Sequence, residues 1–216
     1  MKLIIIGAPG AGKGTMSEEI INKYNIPHIS TGDMFRDQIA RQTELGLKAK
    51  EYIERGELVP DSITISFVKE RLLQDDCKTS YLLDGFPRSE AQAEVFAQML
   101  ENKELGLDAV IYLEVDFSKL IERVTGRRIC RNCKSVYHTV FSPSKVEGVC
   151  DKCGGELYQR PDDTEESLKQ RLEAYNEETM PVIKYFEKLG YVKKIDASQD
   201  IENVKASLFE VLGDIK

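Results

Sequence analysis

Lys2-Leu3-Ile4-Ile5-Ile6-Gly7-Ala8-Pro9-Gly10-Ala11-Gly12-Lys13-Gly14-Thr15 is the stretch that decides the fold. Its first part is a short apolar, β-branched run broken by glycine, which reads as a fully buried strand. From Lys13 to Tyr24 the residues Met16, Ile20 and Tyr24 recur four apart, on one face of a helix. Between strand and helix lies the pattern G-x-x-x-x-G-K, in the context that gives it meaning. Its glycines let the backbone curl so that several N–H groups point inward. The following helix adds its positive end, and Lys13 adds a mobile full charge. A merely glycine-rich turn does not call for a lysine at the helix start, so the stretch predicts a phosphate site. Gly14 follows Lys13 where a Ser or Thr hydroxyl would normally meet Mg²⁺, and Thr15 comes one position later. Mg²⁺ is then held through water or by another carboxylate. Asp84 is the candidate, at the end of the apolar Tyr81-Leu82-Leu83 run. Its local alternative is a turn or cap carboxylate.

Outward from this stretch, His28-Ile29-Ser30, Tyr81 to Leu83, Ala109 to Val115 and Tyr191 to Ile195 read as further strands. Asp61, Ser89, Asp116 and Thr164 stand where helix N-caps belong, and Pro181 should kink or end the last long helical pattern. Strands alternating with helices imply right-handed βαβ units and a parallel sheet. Two segments break the alternation. Residues 30–59 read as short helices, and 126–163 is a glycine-bearing stretch with four of the five cysteines. Both are expected to be insertions into one α/β core.

The 216 residues carry 30 Lys+Arg against 37 Asp+Glu, a net charge of −7, which argues against a general nucleic-acid binder. The 41% hydrophobic and 31% charged content is that of a globular chain rather than a disordered one. The apolar run Leu3–Ile6 is far shorter than a secretory or spanning segment, so no membrane association and a cytoplasmic location are expected.

In a reducing compartment the cysteines should ligate metal rather than pair. Cys130-x2-Cys133 and Cys150-x2-Cys153, with 16 residues between the pairs, have the spacing of two zinc knuckles. Four protein ligands leave no open position, so the Zn²⁺ is expected to be structural, stapling an insertion with little core of its own. Iron is the other metal an all-thiolate site accepts. His138 falls outside the knuckles and reads as an ordinary polar residue, and Cys77 as a lone thiol. Arg36, Arg88, Arg123, Arg127, Arg160 and Arg171 lie in or beside the insertions, where guanidinium forks suit phosphate oxygens. Singly, each is equally a surface charge. Ser89-x-x-Gln92 spells a capping box, so Gln92 also has a purely local role open to it.

These residues together resemble the adenylate kinase family, in its bacterial form with a zinc-bearing lid. The resemblance spans the whole chain. It rests on Gly7–Thr15, His28–Arg36 (HISTGDMFR), Asp84–Arg88 (DGFPR), Gly126-Arg127-Arg128, the four cysteines, and Tyr158-Gln159-Arg160 through Arg171. It implies reversible phosphoryl transfer from Mg-ATP to AMP giving two ADP, which maintains adenine nucleotide balance, by a monomer. It implies a P-loop core with a five-stranded parallel sheet made of 1–29, 60–125 and 164–216, an AMP-binding insertion at 30–59 and a lid at 126–163.

Position by position, the resemblance places Gly10, Ala11, Gly12, Lys13, Gly14 and Thr15 on the ATP phosphates. Arg123, Arg127, Val136, Tyr137 and the Gln199 carbonyl would also meet ATP. Thr31 and Gln92 would meet the AMP adenine, Arg36, Arg88 and Arg171 its phosphate. Glu57, Leu58 and Val59, with Gly85, Phe86 and Pro87, would line the AMP pocket. Arg160 would act at the transferring group. Met16 and Ser89 stand where the family usually has Gln and Thr.

No nucleophile arrangement is visible, and phosphoryl transfer needs none: alignment and fixed positive charge carry it. Both insertions are therefore expected to close over the substrates, hinged near Gly126 and Pro161-Asp162. Three other readings compete with this one. A guanine-specific switch usually carries N-K-x-D, but Asn102-Lys103-Glu104 runs into Leu105. A nucleic-acid-binding ribbon would be basic. Segment 126–163 has seven Lys+Arg against five Asp+Glu, an excess that four thiolates on one Zn²⁺ cancel. A kinase for another nucleoside monophosphate differs only in the base reader.

Overall fold

The computed structural model describes residues 1–102 and 105–215; Lys103 and Glu104 of the N-K-x-D comparison lie outside them. Five parallel strands form the central sheet: β1 (Lys2–Gly7), β2 (His28–Ser30), β3 (Tyr81–Asp84), β4 (Ala109–Glu114) and, late in the chain, Val192–Asp196. The order is β2-β3-β1-β4 and then the late strand, so β1 sits in the middle. Leu3, Ile4 and Ile5 are wholly buried, as a central parallel strand covered on both faces requires. Ile5 stands opposite Asp84 on β3, so the expected phosphate loop and the expected carboxylate leave adjacent strands at the same edge. That edge is where ligands bind in open α/β sheets.

Helix α1 (Lys13–Tyr24) turns Met16 and Ile20 into the core, as the fourfold spacing predicts. After β2 come α2 (Thr31–Ala40), α3 (Glu44–Glu54) and α4 (Asp61–Leu72). Phe35, Ala49 and Val59 form a small apolar cluster there, apart from the main core. Helix α5 (Glu90–Glu101) follows β3, and α6 (Leu120–Thr125) follows β4. A three-stranded antiparallel sheet comes next: β5 (Arg127–Cys130), β6 (Val136–His138) and β7 (Leu157–Tyr158), in the order β6-β5-β7. Its core is only Cys130, Tyr137, Cys150 and Leu157. The chain returns through α7 (Glu165–Ala174), a π-helical turn at Tyr175–Thr179, α8 (Met180–Lys188), β8 (Val192–Asp196) and α9 (Ile201–Gly213).

Ser89 and Thr164 cap α5 and α7 through their hydroxyls, and Asp116 caps a short 3₁₀ turn. Asp61 does not cap α4. Pro60 takes that place, and Asp61 is the first helical residue. Pro181 falls in the first turn of α8, directly after the π-helical turn, so the α-helix does not end there but its regular geometry is interrupted just before the proline.

Candidate functional site

A cavity of about 1550 Å³ opens at the C-terminal edge of the sheet. The loop after β1 forms its floor. Gly10 and Gly12 adopt φ of +85° and +95°, the left-handed region where a side chain is strained. A Cβ on Gly10 would also lie 2.8 Å from Val124 Cγ2. Lys13 folds back over the loop, its Nζ donating to Gly7 O at 2.7 Å and Ala8 O at 3.1 Å. Burial drives its pKa down to about 7, against the pull of Asp84, and the charges of Arg88, Arg171 and Arg127 push the same way.

Asp84 faces Lys13 from β3. Burial pushes its carboxyl up, but His28, Lys13 and Arg88 outweigh this and hold it below the usual range, so it stays ionised. His28 Nε2 lies 3.7 Å from Asp84 Oδ2, an ion-pair distance rather than a hydrogen bond. An ionised, buried carboxylate beside the loop fits a hydrated Mg²⁺.

The arginines converge on the same space from four elements. Arg88 Nε donates to Gly85 O at 2.8 Å, and Thr31 Oγ1 to the same carbonyl at 2.8 Å. Arg36 is held by Asp33 at 2.7 Å and Arg171 by Asp162 at 2.9 Å. Arg127 is gripped by both oxygens of Asp163, whose side chain is fully buried. Arg123 donates to Ala197 O at 2.8 Å and reaches Gln199 O at 3.5 Å. Arg160 is the odd one: its Nε is buried with no partner, and its nearest carboxylate oxygen, on Asp33, is 3.9 Å away.

Burial, then the Arg36 and Arg127 charges, pull Arg160 down to about 10. Burial first, with Arg127 and Arg88, pulls Arg171 to about 10 against Asp162. Burial also lowers Arg88 and Arg123. Cations that repel one another in a desolvated space constitute a site for a polyanion.

The other residues singled out by resemblance line the same cavity: Ala11, Gly14, Thr15, Val136, Tyr137, Gln199, Thr31, Glu57, Leu58, Val59, Phe86, Pro87 and Gln92. Gln92 serves its local role as well. Ser89 Oγ accepts from Gln92 N, and the Gln92 side chain accepts from Arg88 N at 2.8 Å and donates to Asp61 at 2.7 Å. The Val59 carbonyl already accepts from Thr64, and the Glu57 carboxylate pairs with Arg55.

Sequence reasoning missed the carboxylates that hold the arginines: Asp33, Asp162 and Asp163. Only Asp33 has a local signal, three residues before Arg36 in a quoted motif; Asp162 and Asp163 stand beside Arg160 but hold Arg171 and Arg127, 9 and 36 residues away. It also missed Phe141, a half-exposed ring on the cavity wall.

The sulfurs of Cys130, Cys133, Cys150 and Cys153 all lie within 4.8 Å of one another. Cys130 and Cys153 are 3.4 Å apart and Cys133 and Cys150 3.5 Å. Four thiolates 2.3 Å from one Zn²⁺ stand about 3.8 Å apart, so the cluster accepts the ion with small movements. His138 is outside it.

The family model described as adenylate kinase matches residues 5–191. Proteins named adenylate kinase from Geobacillus sp. (strain WCH70) and Bacillus subtilis (strain 168) are 54% and 52% identical over the whole of both chains. One from Carboxydothermus hydrogenoformans is 54% identical over 98% of this chain and 99% of its own.

Proposed function

The chain belongs to the adenylate kinase family, enzymes of reversible phosphoryl transfer from ATP to AMP giving two ADP, and on that premise we propose how its own residues divide the work. The observation that carries the reading is the set of buried, mutually repelling cations around Lys13, with Arg160 Nε left unpartnered among them. Such a set is complementary to several phosphates at once, and to charge spreading over the oxygens of a moving phosphoryl group.

Gly10 to Thr15 and Lys13 cradle the ATP phosphates. Arg123, Arg127, Val136, Tyr137 and Gln199 complete the ATP half. Thr31 and Gln92 read the AMP base, Arg36, Arg88 and Arg171 hold its phosphate, and 57–59 with 85–87 enclose it. Arg160 spans the two halves at the transferring group. Mg²⁺, which adenylate kinases use with ATP, neutralises phosphate charge, and Asp84 is the residue that would hold its water shell. Residues 1–29, 60–125 and 164–216 act as the core, 30–59 as the AMP-binding insertion and 126–163 as a lid stapled by Zn²⁺ on the four cysteines.

Lid closure excludes water, which would otherwise hydrolyse ATP. Two contacts support a lid that meets the core. Lys152, inside the second knuckle, pairs with Glu18 of α1. Val136 Cγ2 lies 3.9 Å from where a Gly14 Cβ would stand. Four metal-ready thiols support a reducing, cytoplasmic setting, and a monomer belongs to the same reading. Balancing the adenine nucleotide pool is the corresponding cellular task. Among the described residues no helix is long and apolar enough to cross a membrane.

The test is a transfer panel: Mg-ATP with AMP, GMP, CMP or UMP, every nucleotide quantified by chromatography. Rapid ADP formation with AMP alone is expected. Preference for another monophosphate would overturn the roles of Thr31 and Gln92 while leaving the phosphate site standing.

A further inference from the structure

His138 fills neither a metal site nor a phosphate site, yet both its ring nitrogens are committed. It ends β6 directly opposite Arg127 of β5 and is only 9% exposed. Its Nδ1 accepts from two backbone N–H groups, Val140 at 3.0 Å and Phe141 at 3.1 Å. A nitrogen that accepts carries no proton, so the neutral ring's hydrogen is on Nε2. Nε2 then donates to the Glu122 carbonyl of α6 at 3.0 Å. The ring lies so close over Gly126 that a Cβ there would come within 2.3 Å of it. Thr139 N donates to Gly126 O at 2.9 Å, and the Phe141 ring stacks on His138 with centroids 4.5 Å apart.

This one side chain therefore crosses the joint at which the chain leaves the core for the antiparallel sheet. Arg123 is the next residue after Glu122, and Arg127 the next after Gly126. We propose that His138 is a positioning residue for phosphoryl transfer: as the neutral Nε2–H tautomer it fixes the lid-entry joint, so that Arg123, Arg127 and Phe141 present themselves together to ATP. The inference rests on the reading of 126–163 as a lid over ATP. It also gives Gly126 a second reason to be glycine, since any side chain there displaces the ring.

The two nitrogens can be tested apart. His138→Gln carries an amide donor out to the Nε2 position and loses the loop acceptor. His138→Asn keeps an acceptor near Nδ1 and loses the reach to Glu122. Steady-state kinetics of both, of His138→Ala and of Arg123→Ala would be measured beside zinc content and melting. His138→Ala should raise KM for ATP about fivefold, the worth of one such hydrogen bond, and leave KM for AMP within about twofold. His138→Gln should recover most of that loss and His138→Asn little of it, with zinc retained in both. Recovery by Asn alone, by both or by neither overturns the inference, as does an equal rise in both KM values. If Arg123→Ala leaves KM for ATP unchanged, the lid-over-ATP reading itself falls, a signature distinct from failure of the joint.

Discussion

Lys13 should take up a proton when phosphate arrives. Buried as it is, its pKa has fallen from 10.5 to about 7, so at neutral pH about half the molecules hold a neutral amine. The geometry suits that form: an amine has two N–H bonds, and two carbonyls, Gly7 O and Ala8 O, receive them. A bound phosphate oxygen favours the ammonium instead and pushes the pKa back up. ATP binding should then take up roughly 0.5 proton at pH 7 and roughly 0.9 at pH 8. Between pH 7 and the restored pKa the dissociation constant should rise toward tenfold per pH unit, because the protein must first be protonated. Arg160 and Arg171, at about 10, are still charged at pH 8 and do not blur the count. Calorimetric titration with ATP alone at pH 8, in Tris and in HEPES, reads the uptake from the difference in apparent enthalpy. A slope near zero in the wild type, or an unchanged slope in Lys13→Met, would refute the reasoning.

Removing Arg160 should damage chemistry rather than folding. Arg160→Ala is expected to lower kcat on the order of 10³-fold, with Tm unchanged or higher because a buried, unpaired charge has gone; a large fall in Tm would show a structural role. Asp163→Asn leaves Arg127 without its fully buried partner, and should cost about 3 kcal/mol, visible as a lower calorimetric Tm. Retained Tm would mean the pair is not buried in solution. Chelating the metal from Cys130, Cys133, Cys150 and Cys153 should lower Tm and open 126–163 to protease while the core still melts cooperatively, since that sheet has only four core residues of its own; an apo protein with unchanged Tm and digestion pattern would remove zinc from its stapling role.

What the sequence made legible was local. The phosphate loop and the two cysteine knuckles each fit within seven or four consecutive residues, and local spacing sets backbone geometry directly. All five strands are legible, three of them as apolar runs, with one end displaced by one residue at β1, β3 and β4 and both ends at β8. What stayed hidden was long-range pairing. Asp61 looked like an N-cap because caps are short acids before helices, but its carboxylate is spent 28 and 31 residues away, on Ser89 and Gln92. No periodicity encodes such a partner. Asp163 was equally invisible: its worth comes from burial against Arg127, 36 residues earlier.

The carboxylates sort the arginines into two kinds, and the sorting predicts different kinetics. Arg36, Arg127 and Arg171 each carry an aspartate, so their side chains are already held where the anion will come and little ordering remains to be done on binding. Their removal should lower affinity and leave an aspartate stranded, so part of the loss should return when that aspartate is also changed to Asn. Arg160 has only a distant oxygen for company, which leaves its charge free for a phosphoryl group that gains negative character only in flight. Removing it should fall mainly on kcat, and no second substitution on the protein should give it back. Double-mutant cycles on Arg171 with Asp162 and on Arg160 with Asp33 separate the cases: coupling of about 1 kcal/mol or more is expected in the first and little in the second. Strong coupling between Arg160 and Asp33 would mean that the 3.9 Å gap to Asp33 closes in solution and that Arg160 belongs with the paired arginines.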